Sequence, residues 1–150
     1  MAHAAQLIGL AVAALGGVAT VAGIVIYLRV LDTRPFWPLM RVTQAAAIGQ
    51  AIFAGVAALL GHRPDSGLYW LYAALPVAVS LIAEQLRIGS AQSVLDAHDL
   101  PNAQAVGELD ETAQRKIVDE ILRRELAVMT AAAAVICFLA LRAAGTSAGL

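Results

Sequence analysis

The chain has 150 residues, of which 60% are hydrophobic and 14% charged, with a mean hydropathy of +0.75. A soluble domain of this size cannot hide that much apolar surface, so the composition points to a lipid bilayer. A net charge of −1 and a pI near 6.3 leave no basic footprint for nucleic acid, and one cysteine, Cys137, excludes a disulfide framework or a multi-cysteine metal site within this chain.

Charge-free runs mark the spans in chain order. Residues 6–28 contain no Asp, Glu, Lys or Arg and, at about 1.5 Å per residue, are long enough to cross about 30 Å of hydrocarbon. No Lys or Arg precedes them, so the run lacks the positive start of a cleaved secretory signal and is expected to remain as a first span. Gly9, Ala13 and Gly17 stand in it at four-residue spacing, with Ala19 and Gly23 as another small pair. Such small faces let helix backbones approach closely where lipid removes the hydrophobic drive.

The first connection holds Arg29, Arg34 and Arg41, with Pro35 and Pro38 around Phe36 and Trp37, a stiff link whose last proline is expected to open the second helix. The second span covers residues 39–61. Its own small face, Ala47, Ala51 and Gly55, is expected to meet that of the first span, or else to serve a second copy or a different subunit. Gly61, Pro64 and Gly67 then make a tight turn into a third span, residues 68–86.

Polar residues inside the spans are the candidates for a site. Tyr69, Tyr72, Pro76, Ser80, Glu84 and Arg87 share a stripe of the third helix, which Pro76 is expected to kink. Thr43 and Gln50 share a face of the second. Thr43, Gln50, Tyr72, Ser80 and Glu84 together form a candidate polar cleft, readable as hydrogen-bonding glue between helices or as a place for a lipid, a quinone or a passing solute. Glu84, with Arg87 one turn on, also reads as an ion pair near the membrane boundary.

A cytoplasmic helical segment follows at residues 90–125, where nine of the eleven acidic residues lie once Glu84 is counted with them. Asp96, His98 and Asp99 stand together but read as the surroundings of a helix boundary, and no metal is expected there. Ile117, Ile121 and Leu122 form an apolar stripe, with Arg115–Asp119 and Glu120–Arg124 at ion-pair spacing on the other face. The stripe needs cover from residues 90–106, the membrane surface or a partner, and the helix is expected to run on into the fourth span, residues 126–144. The charge-free part of that span, residues 126–141, reaches only roughly 24 Å, so Glu125 and Arg142 must snorkel.

With four spans, one side of the membrane receives Arg29, Arg34, Arg41, Arg87, Arg115, Lys116, Arg123 and Arg124, and the other only Arg63 and Arg142. Lys and Arg stay inside, so both termini are expected outside a bacterial cytoplasmic (inner) membrane. His3 and His62 fall near the outer boundary and His98 on the inner side, so no histidine pair lies at mid-depth to hold haem, and no cofactor is expected. No Ser/His/Asp, phosphate-loop or zinc-protease spacing occurs, so no catalytic residue is assigned and an enzyme is not expected.

Gly61-His62-Arg63-Pro64, Leu71-Tyr72, Ala83-Glu84-Gln85-Leu86-Arg87, Ser90-Ala91-Gln92 and Arg123-Arg124-Glu125-Leu126 give the chain a likeness. From the second span onward it resembles an uncharacterised group of small four-helix integral membrane proteins of high-GC bacteria. The resemblance implies the same topology and no activity. Some of those proteins carry a histidine near the place of Tyr69, and tyrosine here argues further against haem. The sequence therefore predicts an all-α polytopic membrane protein acting as an accessory, scaffold or interaction subunit, partnered by the bilayer and by a second copy or other membrane subunits. The rival reading is a lipid- or quinone-binding or transport protein built on the polar cleft.

Overall fold

The computed structural model describes all residues, Met1 to Leu150, and contains helices and turns only. They are α1 (Ala2–Arg29), α2 (Phe36–Leu59), α3 (Leu68–Ala97), the single-turn α4 (Ala103–Val106) and α5 (Glu111–Gly145). Four of them, α1, α2, α3 and α5, are long and apolar enough to cross a membrane, as the charge-free runs predict. Large apolar side chains point outward all along them, among them Val21 and Leu28 on α1, Ile52 and Leu59 on α2, Leu81 and Ile88 on α3, and Phe138 on α5. Water would not tolerate such a perimeter; hydrocarbon would.

The helices form an up-and-down bundle in the cyclic order α1, α2, α3, α5, with the most extensive packing of α5 against α1 and α3. Helix starts differ in detail from the charge-free runs. α2 opens at Phe36, with Pro35 in the N-cap position and no side-chain cap, so Pro38 lies within the first turn, where a missing N–H costs nothing. α3 is continuous through Pro76 and extends to Ala97, well past its apolar part.

As expected, one helix runs unbroken from the segment before the fourth span into it, from Glu111 to Gly145, capped by the Asp110 carboxylate accepting from the Ala113 amide at 3.3 Å. The segment between the third and fourth spans is thus two projecting helix ends joined by α4. Val94 and Leu95 on α3 and Ile117 on α5 are buried at this level, while Ile121 and Leu122 are half-buried.

The core has two parts. The larger contains Val12, Phe36, Met40, Ala47, Leu126, Met129 and Ile136; the smaller, at the opposite end, contains Ala5, Ala54, Tyr69 and Ala73. Tyr69 is 1% exposed there, so it is a core residue rather than an aromatic at the lipid boundary. Residues 146–150 fold over this end: the Asp65 amide donates to the Ala148 carbonyl at 2.8 Å and the Ala2 amide to that of Leu150 at 2.9 Å. Gly149 allows the turn with a φ of 83°, against the side chain and backbone nitrogen of Asp65, where any side chain would collide.

Candidate functional site

At the end of the bundle that gathers the eight basic residues, Glu84 ties three helices together. Its Oε1 accepts from Arg41 Nη1 at 2.6 Å and Gln44 Nε2 at 3.1 Å on α2, and its Oε2 from Arg87 Nε at 3.1 Å. Arg87 continues to α5, with Nη1 3.5 Å from Glu125 Oε2, and lies 5.4 Å over the Trp37 ring. Arg41 also donates to Gln44 Oε1 at 2.9 Å, which fixes the amide's orientation. Two cations and two carboxylates cancel, and Glu84, Arg87 and Glu125 are each less than a third exposed. The arrangement is a charge-neutral clasp at one end of the apolar bundle, where partial burial strengthens each bond.

The other members of the candidate cleft do not join it. Thr43 Oγ1 donates to the Leu39 carbonyl at 3.0 Å and Ser80 Oγ to that of Pro76 at 2.8 Å, each back onto its own helix. The Tyr72 ring lies under Arg142 of α5, whose guanidinium carbon is 5.5 Å from its centre. Gln50 is left alone: it is 2% exposed, and neither its amide nitrogen nor its oxygen has a partner. It sits on α2 between Ala47 of the larger core cluster and Ala54 of the smaller.

Helix contact is closest between α1 and α5. A methyl group added at Gly9 would lie 3.0 Å from the Ala144 side chain and 3.1 Å from the Ala140 carbonyl oxygen; at Gly16 it would lie 3.0 Å from the Cys137 amide nitrogen; at Gly23 it would collide with Thr130. Seven-residue spacing, not four, marks this seam, and the buried positions Ala5, Gly9, Val12, Gly16, Ala19, Gly23 and Ile26 repeat as a heptad. Of the residues expected to pack, Gly9 and Ala13 are buried, whereas Gly17 makes only ordinary contact with Cys137 Sγ at 3.7 Å and borders an outward apolar furrow on α1. On α2, Ala47 is buried, Ala51 half-buried and Gly55 exposed, with nothing within 4 Å of it. Gly9 and Gly16 therefore face α5 rather than α2, while Gly23 meets both Thr130 of α5 and Phe36 of α2. A heptad seam suits a shallow left-handed crossing, while four-residue spacing suits a steeper right-handed one.

Beyond the clasp, Arg124 reaches across to Ser93 Oγ at 3.2 Å and pairs with Glu120 at 3.1 Å. Arg115 pairs with Glu111, one turn back, and not with Asp119. His98 Nε2 meets Glu120 Oε2 at 3.2 Å, and Asp96 accepts from Gln92 at 2.8 Å, so Asp96, His98 and Asp99 do not converge on a common point. The hydrogen bond from His98, followed by the nearby Arg124 charge, holds the Glu120 carboxyl below its ordinary range.

Sequence reasoning missed Arg41, Gln44 and Glu125 as partners of Glu84 and Arg87. A signal was present: Arg41 opens the second charge-free run and Glu84 closes the third, which places both at one depth of adjacent antiparallel helices. Comparison with known families, with characterised proteins and with solved structures yields no match.

Proposed function

We propose that the chain is a four-span protein of a bacterial cytoplasmic membrane, both termini outside, serving as an accessory, scaffold or interaction subunit of a membrane assembly, akin to the small four-helix proteins of high-GC bacteria. The observation that carries this reading is how the interior polar groups are used. Glu84, Arg87, Gln44 and Glu125 hold helices to one another, Thr43 and Ser80 return to their own backbone, and five cavities on the bundle are lined by other side chains. Cross-linking in native membranes followed by purification in mild detergent tests it: a fixed stoichiometric set of other membrane proteins is expected. Recovery of the chain alone, in unaltered yield, counts against the reading.

Gln50 favours the second reading, of a site that holds a small molecule. A buried amide without partners is costly in lipid unless water or a ligand meets it. Under the subunit reading, Gln50→Leu leaves folding and association intact, because an interhelical hydrogen bond in a membrane averages only about 0.6 kcal/mol and here none is made. Under the rival, mass spectrometry finds a lipid or quinone in the native protein that disappears from a still-folded Gln50→Leu variant. The first outcome is expected.

A further inference from the structure

Three cavities meet at one side chain, Tyr27, near the end of α1. The first, of about 300 Å³, is a trough between α1 and α5 floored by Thr20, Ile24, Leu28, Ala127, Ala131 and Ala134. The second, of about 480 Å³, continues it past Ala127 onto the projecting part of α5, where Lys116, Asp119, Glu120, Arg123 and Arg124 line it. The third, of about 400 Å³, opens on the other side of Tyr27 and Arg123, under the turn that carries Asp32 and Thr33. The trough is apolar, since the Thr20 and Thr130 hydroxyls are both turned back onto their own helices, to the carbonyls of Gly16 and Leu126, each at 2.7 Å.

The charges at its mouth are unevenly committed. Arg124 and Glu120 pair with each other, and Arg115 with Glu111. Arg123 has no carboxylate partner; its guanidinium carbon lies 4.9 Å from the centre of the Tyr27 ring, a cation–π contact that leaves its N–H groups without a hydrogen-bond acceptor. Lys116 is equally uncommitted. Against these two cations the second cavity sets the single unpaired Asp119, and Asp32 in the third is paired with Arg34 at 4.0 Å, so the mouth carries one surplus positive charge.

An apolar trough at bilayer depth that ends in a surplus cation at the boundary matches one chemistry. We propose that this is a binding site for an anionic phospholipid of the phosphatidylglycerol type, with one acyl chain in the α1–α5 trough and the phosphate on Arg123 and Lys116. Asp119 then accepts from a headgroup hydroxyl. Basic pockets between transmembrane helices select anionic headgroups in this way. A zwitterionic headgroup lacks the matching net charge. The inference requires only that the four helices lie in a bilayer and is independent of the assembly the protein serves.

Native mass spectrometry of the full chain in neutral detergent, titrated with phosphatidylglycerol, phosphatidylethanolamine and phosphatidylcholine of equal acyl length, tests it. One phosphatidylglycerol is expected to bind in preference to the other two. Arg123→Gln lowers that preference roughly fivefold, about what one basic residue contributes at a membrane surface. Ala134→Phe, which fills the trough and spares every charge, weakens retention of all three lipids, and Arg115→Gln changes nothing. Circular dichroism confirms that each variant is folded. Equal retention of the three lipids by the native chain overturns the proposal in favour of a non-selective lipid shell. An unchanged preference in Arg123→Gln overturns it by locating the selection elsewhere. Displacement of the lipid by equimolar glycerol phosphate overturns it in favour of a soluble phosphate ligand. No binding of any lipid overturns the proposal alone, since the membrane reading rests on the four long apolar helices.

Discussion

Glu84 shows how much one side chain can carry in a bundle with few polar groups. It accepts from Arg41, Gln44 and Arg87, and through Arg87 it reaches Glu125, so its carboxylate joins α2, α3 and α5. Glu84→Gln keeps the shape, removes the charge and leaves two guanidinium groups facing an amide. We expect a loss of about 1 to 3 kcal/mol, within the range for charged hydrogen bonds that are partly shielded from water. Arg41→Gln should cost less than about 1 kcal/mol, since that side chain is 54% exposed and its pairing is screened. Thermal melts in detergent read both, and equal melting temperatures for native and Glu84→Gln protein would reduce the clasp to a surface decoration. The sequence made the Arg87 pairing legible because it is one helical turn away. Arg41 and Gln44, on another helix, become neighbours only through the antiparallel packing, and Gln50 was legible as buried but not as unpartnered.

For the elements, hydropathy decided existence and glycine decided contact. Lipid forces each crossing segment to satisfy its own backbone, so a continuous apolar run can only be a helix, and the four spans are readable from charge positions alone. Which helices touch is not readable in the same way. Gly9 belongs both to the four-residue series with Ala13 and Gly17 and to the seven-residue series with Gly16 and Gly23, and the choice depends on the partner's crossing angle. The bundle uses the second series, with Thr130, Ala133, Cys137, Ala140 and Ala144 opposite. Gly16→Leu therefore drives a side chain into the backbone at Cys137 and is expected to cost about 1 to 3 kcal/mol or to prevent closure. Gly17→Leu adds volume toward the furrow and lipid and should leave stability nearly unchanged. Comparing the two variants by detergent melting checks the seam; equal losses would show that both positions face a helix.

Over the whole molecule, the eight-to-two division of Lys and Arg becomes a division between the two ends of the bundle, with Arg41, Arg87, Arg123 and Arg124 gathered at one end and Arg63 and Arg142 at the other. Retention of positive charge in the cytoplasm then predicts that a reporter active only outside the membrane is active when fused after Leu150 and silent when fused near Val106. The opposite pattern would invert the orientation. The Ala2–Leu150 bond, with the glycine seam between α1 and α5, joins the first helix of the bundle to the last, and the Asp65–Ala148 bond ties the α2–α3 turn to the same end. That closure sets an order of events during synthesis. At ribosomal speed α1 waits on the order of ten seconds before α5 emerges to meet it. In that interval its backbone-thin glycine face looks into lipid or the insertion machinery. The bundle is therefore sealed from its final element backward, and a nascent chain halted before α5 displays a helix-binding surface that the finished protein never shows.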